Sequence, residues 1–128
     1  MEKTVKKIFL LVDDELANEA LSSKLKDLGY DVSSATSSGE GAKLFEDGEP
    51  DILAVDYLLS GQNGITFVEN LKEKHPHMAS RTLLMTSLDN EAYLPKALEA
   101  GIKYHIKKTS GNIDLVVEML KNILKEEK

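Results

Sequence analysis

The sequence predicts an α/β fold in which a parallel sheet of five strands carries five helices on its two faces. Short, continuous apolar runs alternate along the chain with segments in which apolar residues recur every three or four positions. These two patterns are typical of strands buried on both faces and of amphipathic helices. Every connection is short, which favours right-handed crossovers within one sheet. With 128 residues, we expect a single domain over residues 1–128.

Three strands and two helices are predicted in the first half of the chain. Residues 8–12 are a continuous apolar run, and a glycine stops the helix that follows. Residues 30–35 are more polar, as expected at an edge of the sheet, and Ser37 or Ser38 can cap a short second helix. Residues 52–55 form the third strand. The helices have apolar residues at Ala17, Ala20, Leu21, Leu25 and Leu28 before Gly29, then at Ala42, Leu44 and Phe45.

Two strands and three helices are predicted in the second half. Pro76 ends the third helix, and residues 82–86 form the fourth strand. A proline in the second turn of a helix costs about 3 kcal/mol, so the fourth helix should cover only residues 94–100, with Pro95 in its first turn. Residues 102–106 form the fifth strand. The third and fifth helices have apolar faces at Ile65, Phe67, Val68 and Leu71, and at Ile113, Val116, Val117, Leu120, Ile123 and Leu124, with Ser110 or Asn112 as a cap.

Composition argues against several classes of function. No apolar run approaches the ~20 residues of a membrane span, and no secretory signal precedes the first strand. The net charge of −6 disfavours direct contact with nucleic acid, which needs clustered lysine and arginine. The absence of cysteine rules out disulfides and thiol chemistry and fits a reducing compartment. We therefore expect a cytoplasmic protein that binds neither membranes nor nucleic acid directly.

Polar residues follow four of the predicted strands. Asp13 and Asp14 follow the first strand, Asp56 follows the third, Thr86 ends the fourth and Lys107 follows the fifth. Because parallel strands bring their carboxyl ends to one edge, these side chains should converge if the first and third strands are neighbours. Three carboxylates repel one another unless a cation holds them. An all-oxygen donor set suits Mg²⁺, with Mn²⁺ as a substitute.

This combination predicts phosphoryl transfer to Asp56. Carboxylates form covalent aspartyl-phosphate intermediates, and the transfer needs mainly alignment and charge stabilisation. The metal and the Lys107 ammonium would neutralise the transferring oxygens, and the Thr86 hydroxyl would donate a hydrogen bond to one of them. Taken singly, the acidic residues could be a helix start or a loop start and Lys107 a surface charge. Their joint placement at one edge favours a site.

In these residues and their order, the chain resembles the receiver domain of two-component response regulators. The resemblance implies a flavodoxin-like sheet of order 2-1-3-4-5 and phosphoryl uptake from a phosphohistidine of a sensor histidine kinase or histidine phosphotransfer protein. It implies a switch and not an enzyme: at most, the domain phosphorylates itself from small phosphodonors and dephosphorylates slowly. The residues that carry the resemblance are Asp13, Asp14, Asp56, Leu59, Gly64, Thr86, Ser87, Tyr104 and Lys107.

The same resemblance assigns roles to individual residues. Asp13 and Asp56 would bind Mg²⁺ together with the Leu58 carbonyl, and Asp14 would act directly or through water. The surface of the fourth helix, fifth strand and fifth helix would contact a downstream protein or a missing output domain, and is compatible with a phosphorylation-dependent dimer. Leu58 and Leu88 would keep water from the phosphoryl group. The switch residues would be Thr86, Ser87 and Tyr104.

Three positions depart from the family pattern. Ser60 and Lys108 stand where prolines are usual, and Pro95 interrupts the fourth helix. Without proline, a cis peptide bond after Lys107 would cost ~2.5–4 kcal/mol instead of ~0.5–1 kcal/mol, so that loop is expected to follow a different path.

Two other functions compete with a phosphorylated receiver. A phosphohydrolase of the haloacid dehalogenase type would carry a second aspartate two residues after its nucleophile, where this chain has Leu58. An unphosphorylated binding module would keep the fold and usually lose one of the acidic or lysine residues. All of these residue types are present in this sequence.

Overall fold

The core of the molecule is a five-stranded sheet. The computed structural model describes residues 5–87, 91–108 and 113–126. The strands are β1 (Lys7–Leu11), β2 (Asp31–Ala35), β3 (Ile52–Asp56), β4 (Thr82–Thr86) and β5 (Tyr104–Lys107). Each strand is parallel to its neighbours, in the order β2-β1-β3-β4-β5. The predicted flavodoxin-like, doubly wound sheet is confirmed.

Five helices cover the two faces of this sheet. Two of them pack on one face and three on the other, as predicted for a doubly wound fold. Within the described ranges, no helix is both long enough and apolar enough to cross a lipid bilayer. The first face carries α1 (Glu15–Asp27) and α5 (Ile113–Glu126), and the second carries α2 (Ser38–Leu44), α3 (Gly64–Leu71) and α4 (Leu94–Glu99), with unpredicted 3₁₀ turns at Phe45–Asp47 and Ala79–Arg81.

The sheet separates two apolar cores. Successive residues of a strand point to opposite faces. In β3, Ile52 and Ala54 pack towards α1 and α5, whereas Leu53 and Val55 pack towards α2, α3 and α4. Because β3 and β4 are buried along their whole length and β1 along most of it, their sequences are continuous apolar runs. The carboxyl ends of these central strands therefore open onto one protected edge.

Polar side chains begin three helices at this edge. Asp14 caps α1, Ser37 caps α2 and Asn63 caps α3, each by accepting a backbone N–H two or three residues further along the chain. Of the two serines predicted as caps for the second helix, Ser37 has this role. The predicted caps of α5, Ser110 and Asn112, lie outside the described residues.

The fourth helix confirms the prediction made from its proline. It begins at Leu94 with Pro95 in its first turn and ends at Glu99, one residue before the predicted end. Proline has no N–H to donate, and the first turn of a helix has no internal acceptor for one. The steric rule for a single residue therefore predicted where this helix starts.

The fifth strand begins at Tyr104, two residues later than predicted, and ends at Lys107. Ile102 is buried, but it belongs to the turn after α4, where its N–H donates to the Ala97 carbonyl at 3.0 Å. In sequence, a buried isoleucine in a turn resembles the first residue of a strand.

An ionic network at the opposite edge of the sheet joins the start of β3 to the segment between α3 and β4. Glu49 Oε2 lies 2.6 Å from His75 Nδ1, and Glu49 Oε1 accepts a hydrogen bond from Arg81 Nη2 at 3.1 Å. The hydrogen bond with His75 is the largest of the effects that lower the pKa of Glu49 below its ordinary value of 4.5. The network therefore favours the ionised form of Glu49.

Glu49→Gln should lower the free energy of unfolding at neutral pH by less than about 1 kcal/mol, because the network is partly exposed. A carboxyl group whose pKa is lowered by folding binds fewer protons in the folded state than in the unfolded state. Its contribution is therefore complete above pH 4.5 and is lost as the pH falls through the folded-state pKa. Urea unfolding at several pH values should show the difference from wild type shrinking below that pH. Glu46→Gln is the neighbouring control, and a pH-independent difference for Glu49→Gln would contradict this prediction.

Candidate functional site

Asp56 is the last residue of β3 and lies at the middle of the sheet's carboxyl edge. Its side chain is nearly buried, and the residue is 6% exposed. Oδ1 accepts a hydrogen bond from Lys108 Nζ at 2.8 Å, and Oδ2 accepts one from the Asp13 backbone N–H at 3.1 Å. Lys108 follows β5 and Asp13 follows β1, and these two strands lie on opposite sides of β3 in the sheet. Residues from both sides of β3 therefore orient this carboxylate.

Burial raises the pKa of Asp56 above its ordinary value of 3.8, because a carboxylate loses hydration when it leaves water. The hydrogen bond and charge of Lys108 lower this pKa, as does the hydrogen bond from the Asp13 N–H. These partners offset part of the effect of burial, and the charge of Asp13 adds to that effect. The ionised carboxylate is the nucleophilic form.

Lys108, and not the predicted Lys107, is the lysine that contacts Asp56 in this structure. Ile106 of β5 and Ala54 of β3 pack on the same face of the sheet. Lys108 comes two residues after Ile106, and Asp56 comes two residues after Ala54. Both therefore share that face, because side chains alternate along a strand. Lys107 is the last residue of β5 and has an exposed side chain. By the same alternation, it lies on the opposite face of the sheet from Lys108.

The two acidic residues after β1 have different contacts. Asp13 Oδ1 accepts a hydrogen bond from Ser60 Oγ at 2.7 Å. Asp14 Oδ1 accepts backbone N–H groups from the first turn of α1, at 2.9 and 3.3 Å. Asp14 is thus a helix cap, as the ordinary structural interpretation predicted, although its side chain also lines the cleft described next.

A cleft of about 170 Å³ opens beside Asp56. This volume corresponds to about six water molecules at ~30 Å³ each, which is enough space for a small polar group such as a phosphoryl group. The cleft brings together every predicted site residue except Lys107 and Tyr104. Its lining consists of Asp13, Asp14, Asp56, Leu58, Met85, Thr86, Ser87 and Lys108.

The donors around this cleft fit a divalent cation in chemistry. Three carboxylates lie at one opening, and oxygen donors are those that Mg²⁺ and Mn²⁺ prefer. Within the described part of the chain, however, no three carboxylate or imidazole side chains lie close enough together to hold a metal ion. Asp14 instead contacts the start of α1, and Asp56 contacts Lys108. Binding of a cation would therefore require these two side chains to reorient.

Of the predicted switch residues, Thr86 and Ser87 lie at the site and Tyr104 does not. Thr86 is 3% exposed and lies on the face of β4 that carries Leu84, towards α3 and α4. Tyr104 packs with the core of α1 and α5, on the other face of the sheet. The two residues of the predicted switch pair, Thr86 and Tyr104, thus lie on opposite faces of the sheet in this structure.

Three rings that the sequence analysis did not select link the residue after Asp56 to β5. The ring centroids of Tyr57 and Tyr93 are 5.5 Å apart, and those of Tyr93 and His105 are 6.3 Å apart. Tyr93, directly before α4, is 7% exposed, and burial raises the pKa of its hydroxyl. His105 thus lies on the α4 side of β5. The alternation of side chains along β5, which places Lys108 beside Asp56, was the sequence signal that could have identified the position of His105.

Comparisons with known proteins agree with this geometry. Over residues 8–121 the sequence matches the family described as response regulator receiver domain. The fold is similar to that of a CheY-like response regulator receiver domain protein from Methanospirillum hungatei JF-1, with 24% identity, a TM-score of 0.85 and 97% of each chain covered. It is also similar to a two-component response regulator of the LuxR family from Aurantimonas sp. SI85-9A1, with 26% identity, a TM-score of 0.82, and 98% of this chain and 89% of that chain covered.

A curated relative shows that such a sequence also occurs within a longer protein. The chain is 31% identical over 101 residues to a cyclic di-GMP phosphodiesterase of Thermotoga maritima, which covers 79% of this chain. It spans only 26% of the length of that relative. The likeness therefore concerns one part of the Thermotoga protein.

Proposed function

The chain belongs to the response regulator receiver domain family, and on that premise we propose that Asp56 accepts a phosphoryl group from a phosphohistidine. The donor is a sensor histidine kinase or a histidine phosphotransfer protein. The observation that carries the proposal is the setting of the Asp56 carboxylate, which is nearly buried, with one oxygen on Lys108 and the other on the Asp13 N–H. Such an arrangement orients a nucleophile and supplies a cation for the charge that arrives.

In the proposed reaction, Asp56 is the nucleophile of an in-line displacement. A carboxylate oxygen forms a bond to phosphorus while the bond between phosphorus and the donor imidazole nitrogen breaks, and the imidazole leaves with the electron pair and is protonated. The Lys108 ammonium, which bonds to the carboxylate in the free protein, can donate hydrogen bonds to the phosphoryl oxygens after the transfer. The hydroxyl of Thr86, which lines the same cleft, supplies a neutral hydrogen-bond donor.

The proposal includes a divalent cation, Mg²⁺ or Mn²⁺ as its substitute. Asp13, Asp56 and the Leu58 carbonyl would hold it, with Asp14 acting directly or through water; all four residues line the cleft. When bound, the ion supplies positive charge to the phosphoryl oxygens. This assignment is supported by the all-oxygen donor chemistry of the cleft.

We propose that the domain is a switch without enzymatic turnover, located in the cytoplasm. Thr86 and Ser87, at the end of β4, would sense the phosphoryl group. The surface of α4, β5 and α5 would then contact a downstream protein, an output domain or a second copy of the chain. The rings of Tyr57, Tyr93 and His105 support this route, because they join the residue after Asp56 to the start of α4 and to β5.

A metal-dependent phosphohydrolase is less well supported. Such an enzyme needs a proton donor near the nucleophile for rapid turnover. The residue two positions after Asp56 is Leu58, which is 61% exposed and has no proton to donate. The same leucine fits a long-lived phosphoryl group.

Labelling with acetyl phosphate and Mg²⁺ tests the proposed function. Mass spectrometry should show the gain of one phosphoryl group, located on Asp56, and a chelator should prevent it. Absence of any mass gain with both Mg²⁺ and Mn²⁺ would contradict the proposal, because an oriented carboxylate nucleophile should also react with a small acyl phosphate. Labelling of another residue would place the acceptor elsewhere.

Leu58→Asn should hasten the loss of the phosphoryl group several-fold. Leu58 lines the cleft, and we expect its apolar side chain to hinder the approach of water to the acyl phosphate, whereas an amide would help to bind water there. Loss of label after removal of the phosphodonor measures the lifetime. Leu98→Asn is the matched control, because Leu98 is 63% exposed on α4, away from the cleft. Equal lifetimes for the Leu58 variant and wild type would refute shielding by Leu58; the predicted second shield, Leu88, lies outside the described residues.

A further inference from the structure

We propose that Ser60 is a positioning residue of the acceptor site, and that its hydroxyl holds the Asp13 carboxylate in the orientation that binds the divalent cation. This inference rests on the proposed function of Asp56. Ser60 stands where the family usually has a proline, so its hydroxyl is a feature of this particular chain. The argument depends on three contacts that join the loop after β3 to the acidic residues.

The first contact is between side chains. Ser60 Oγ donates to Asp13 Oδ1 at 2.7 Å, across 47 positions of sequence. An O–H that donates to a carboxylate at this distance is a charge-assisted hydrogen bond, which is stronger than one between neutral groups. This hydrogen bond occupies Oδ1 of Asp13. Because the carboxylate is planar and rigid, the same bond also restricts the orientation of Oδ2.

The second and third contacts fix Ser60 itself. Its carbonyl accepts a hydrogen bond from the Ser38 N–H at 3.1 Å, within an isolated parallel bridge between Ser37 and Ser60. The next residue, Gly61, has φ +102°, and a side chain there would overlap that of Ser38. The loop therefore lies tightly against the start of α2, and the Ser60 hydroxyl has a defined position.

Asp13 needs such a partner. It is an exposed residue beside Asp14, and its backbone N–H already holds Asp56 Oδ2. Like charges at adjacent positions repel, so an unrestrained Asp13 carboxylate would turn towards water and away from the other carboxylates. Mg²⁺ requires nearly ideal octahedral geometry, and its affinity depends on ligands that are already oriented. A short bond from a fixed hydroxyl provides that orientation.

The test is a titration of the unphosphorylated full chain with Mg²⁺, followed by the amide NMR signals of Asp13 and Asp56. Ser60→Ala should raise the dissociation constant about fivefold, the size expected from the loss of one hydrogen bond. Ser60→Thr keeps the hydroxyl and should retain most of the affinity. In the acetyl phosphate assay, Ser60→Ala should need about fivefold more Mg²⁺ for half-maximal rate and reach the wild-type rate at saturation.

Ser80→Ala is the matched control. The Ser80 hydroxyl donates to the His77 carbonyl at 3.0 Å, before β4 and at the other edge of the sheet, so its loss should leave Mg²⁺ binding unchanged. Equal dissociation constants for wild type and Ser60→Ala would overturn the inference, as would a Ser60→Thr variant as weak as Ser60→Ala. Because the NMR titration contains no phosphodonor, failure of phosphoryl uptake in wild type would count against the proposed function alone.

Discussion

Asp56→Asn should reduce phosphoryl uptake from acetyl phosphate to the background of the assay. Asparagine has nearly the same shape as aspartate and fits a position that is 6% exposed, but its amide is not a nucleophile comparable to a carboxylate. No substitution at a neighbouring residue should have as large an effect, because in the proposed reaction Asp56 alone forms the new bond to phosphorus. Intact-mass spectrometry after incubation with acetyl phosphate and Mg²⁺ measures the result.

The variant should lose its label and keep its fold. Folding raises the pKa of Asp56, so the folded state binds a proton more readily than the unfolded state, and ionisation of this carboxyl at neutral pH lowers stability. A neutral asparagine should therefore leave the midpoint of thermal unfolding of the metal-free protein at least as high as in wild type. Asp51→Asn is the matched control at the other end of β3, where Asp51 Oδ2 accepts the Lys7 N–H at 2.7 Å. Undiminished labelling of Asp56→Asn would show that the acceptor is another residue.

The sheet and the place of Asp56 could be predicted because they depend on burial. β3 is flanked by β1 and β4 and covered on both faces, so no polar residue is tolerated before its end. The first polar residue after such a run has to lie at the edge of the sheet. The start of α4 was predictable for a different reason, since the ring of Pro95 excludes most alternatives regardless of tertiary structure.

The side-chain placement in β5 was not predicted, because two adjacent lysines stand at the end of an edge strand. Ile102 is buried in a turn and looks like a strand residue, which moved the predicted start of the strand two positions towards the amino terminus. Lys107 was selected because it follows the predicted strand, and Tyr104 was selected by resemblance to the receiver family. Alternation from Ile106 would have selected Lys108 for the face of Asp56 and His105 for the face of α4.

The hydrogen bond of Ser60 with Asp13 had no signal in the sequence. It joins an exposed loop to a strand end 47 positions away, and neither residue has the periodicity that burial imposes. Its existence depends on how closely the loop approaches the start of α2. Contacts of this kind, which connect two loops through side chains, require the three-dimensional structure.

Lys108→Ala should slow phosphoryl uptake on the order of tenfold or more, because it removes the cation that lies 2.8 Å from the acceptor carboxylate. In the free protein, this lysine lowers the pKa of Asp56 against the effect of burial, so its loss should also raise that pKa further. During transfer, the same ammonium would neutralise phosphoryl oxygens. Both effects reduce the rate, and both depend on Lys108 sharing a face of the sheet with Asp56.

Lys107→Ala is a stringent control, because it removes an identical charge at the neighbouring position. The side chain of Lys107 is exposed at the end of β5. The net charge of the two variants is the same, so a general electrostatic attraction of the phosphodonor would change both rates equally. We expect an uptake rate near that of wild type for Lys107→Ala and a slow rate for Lys108→Ala, measured under saturating Mg²⁺. Equal losses would indicate a long-range effect of charge, and a larger loss for Lys107→Ala would mean that the chain adopts the other alternation of β5 when it reacts.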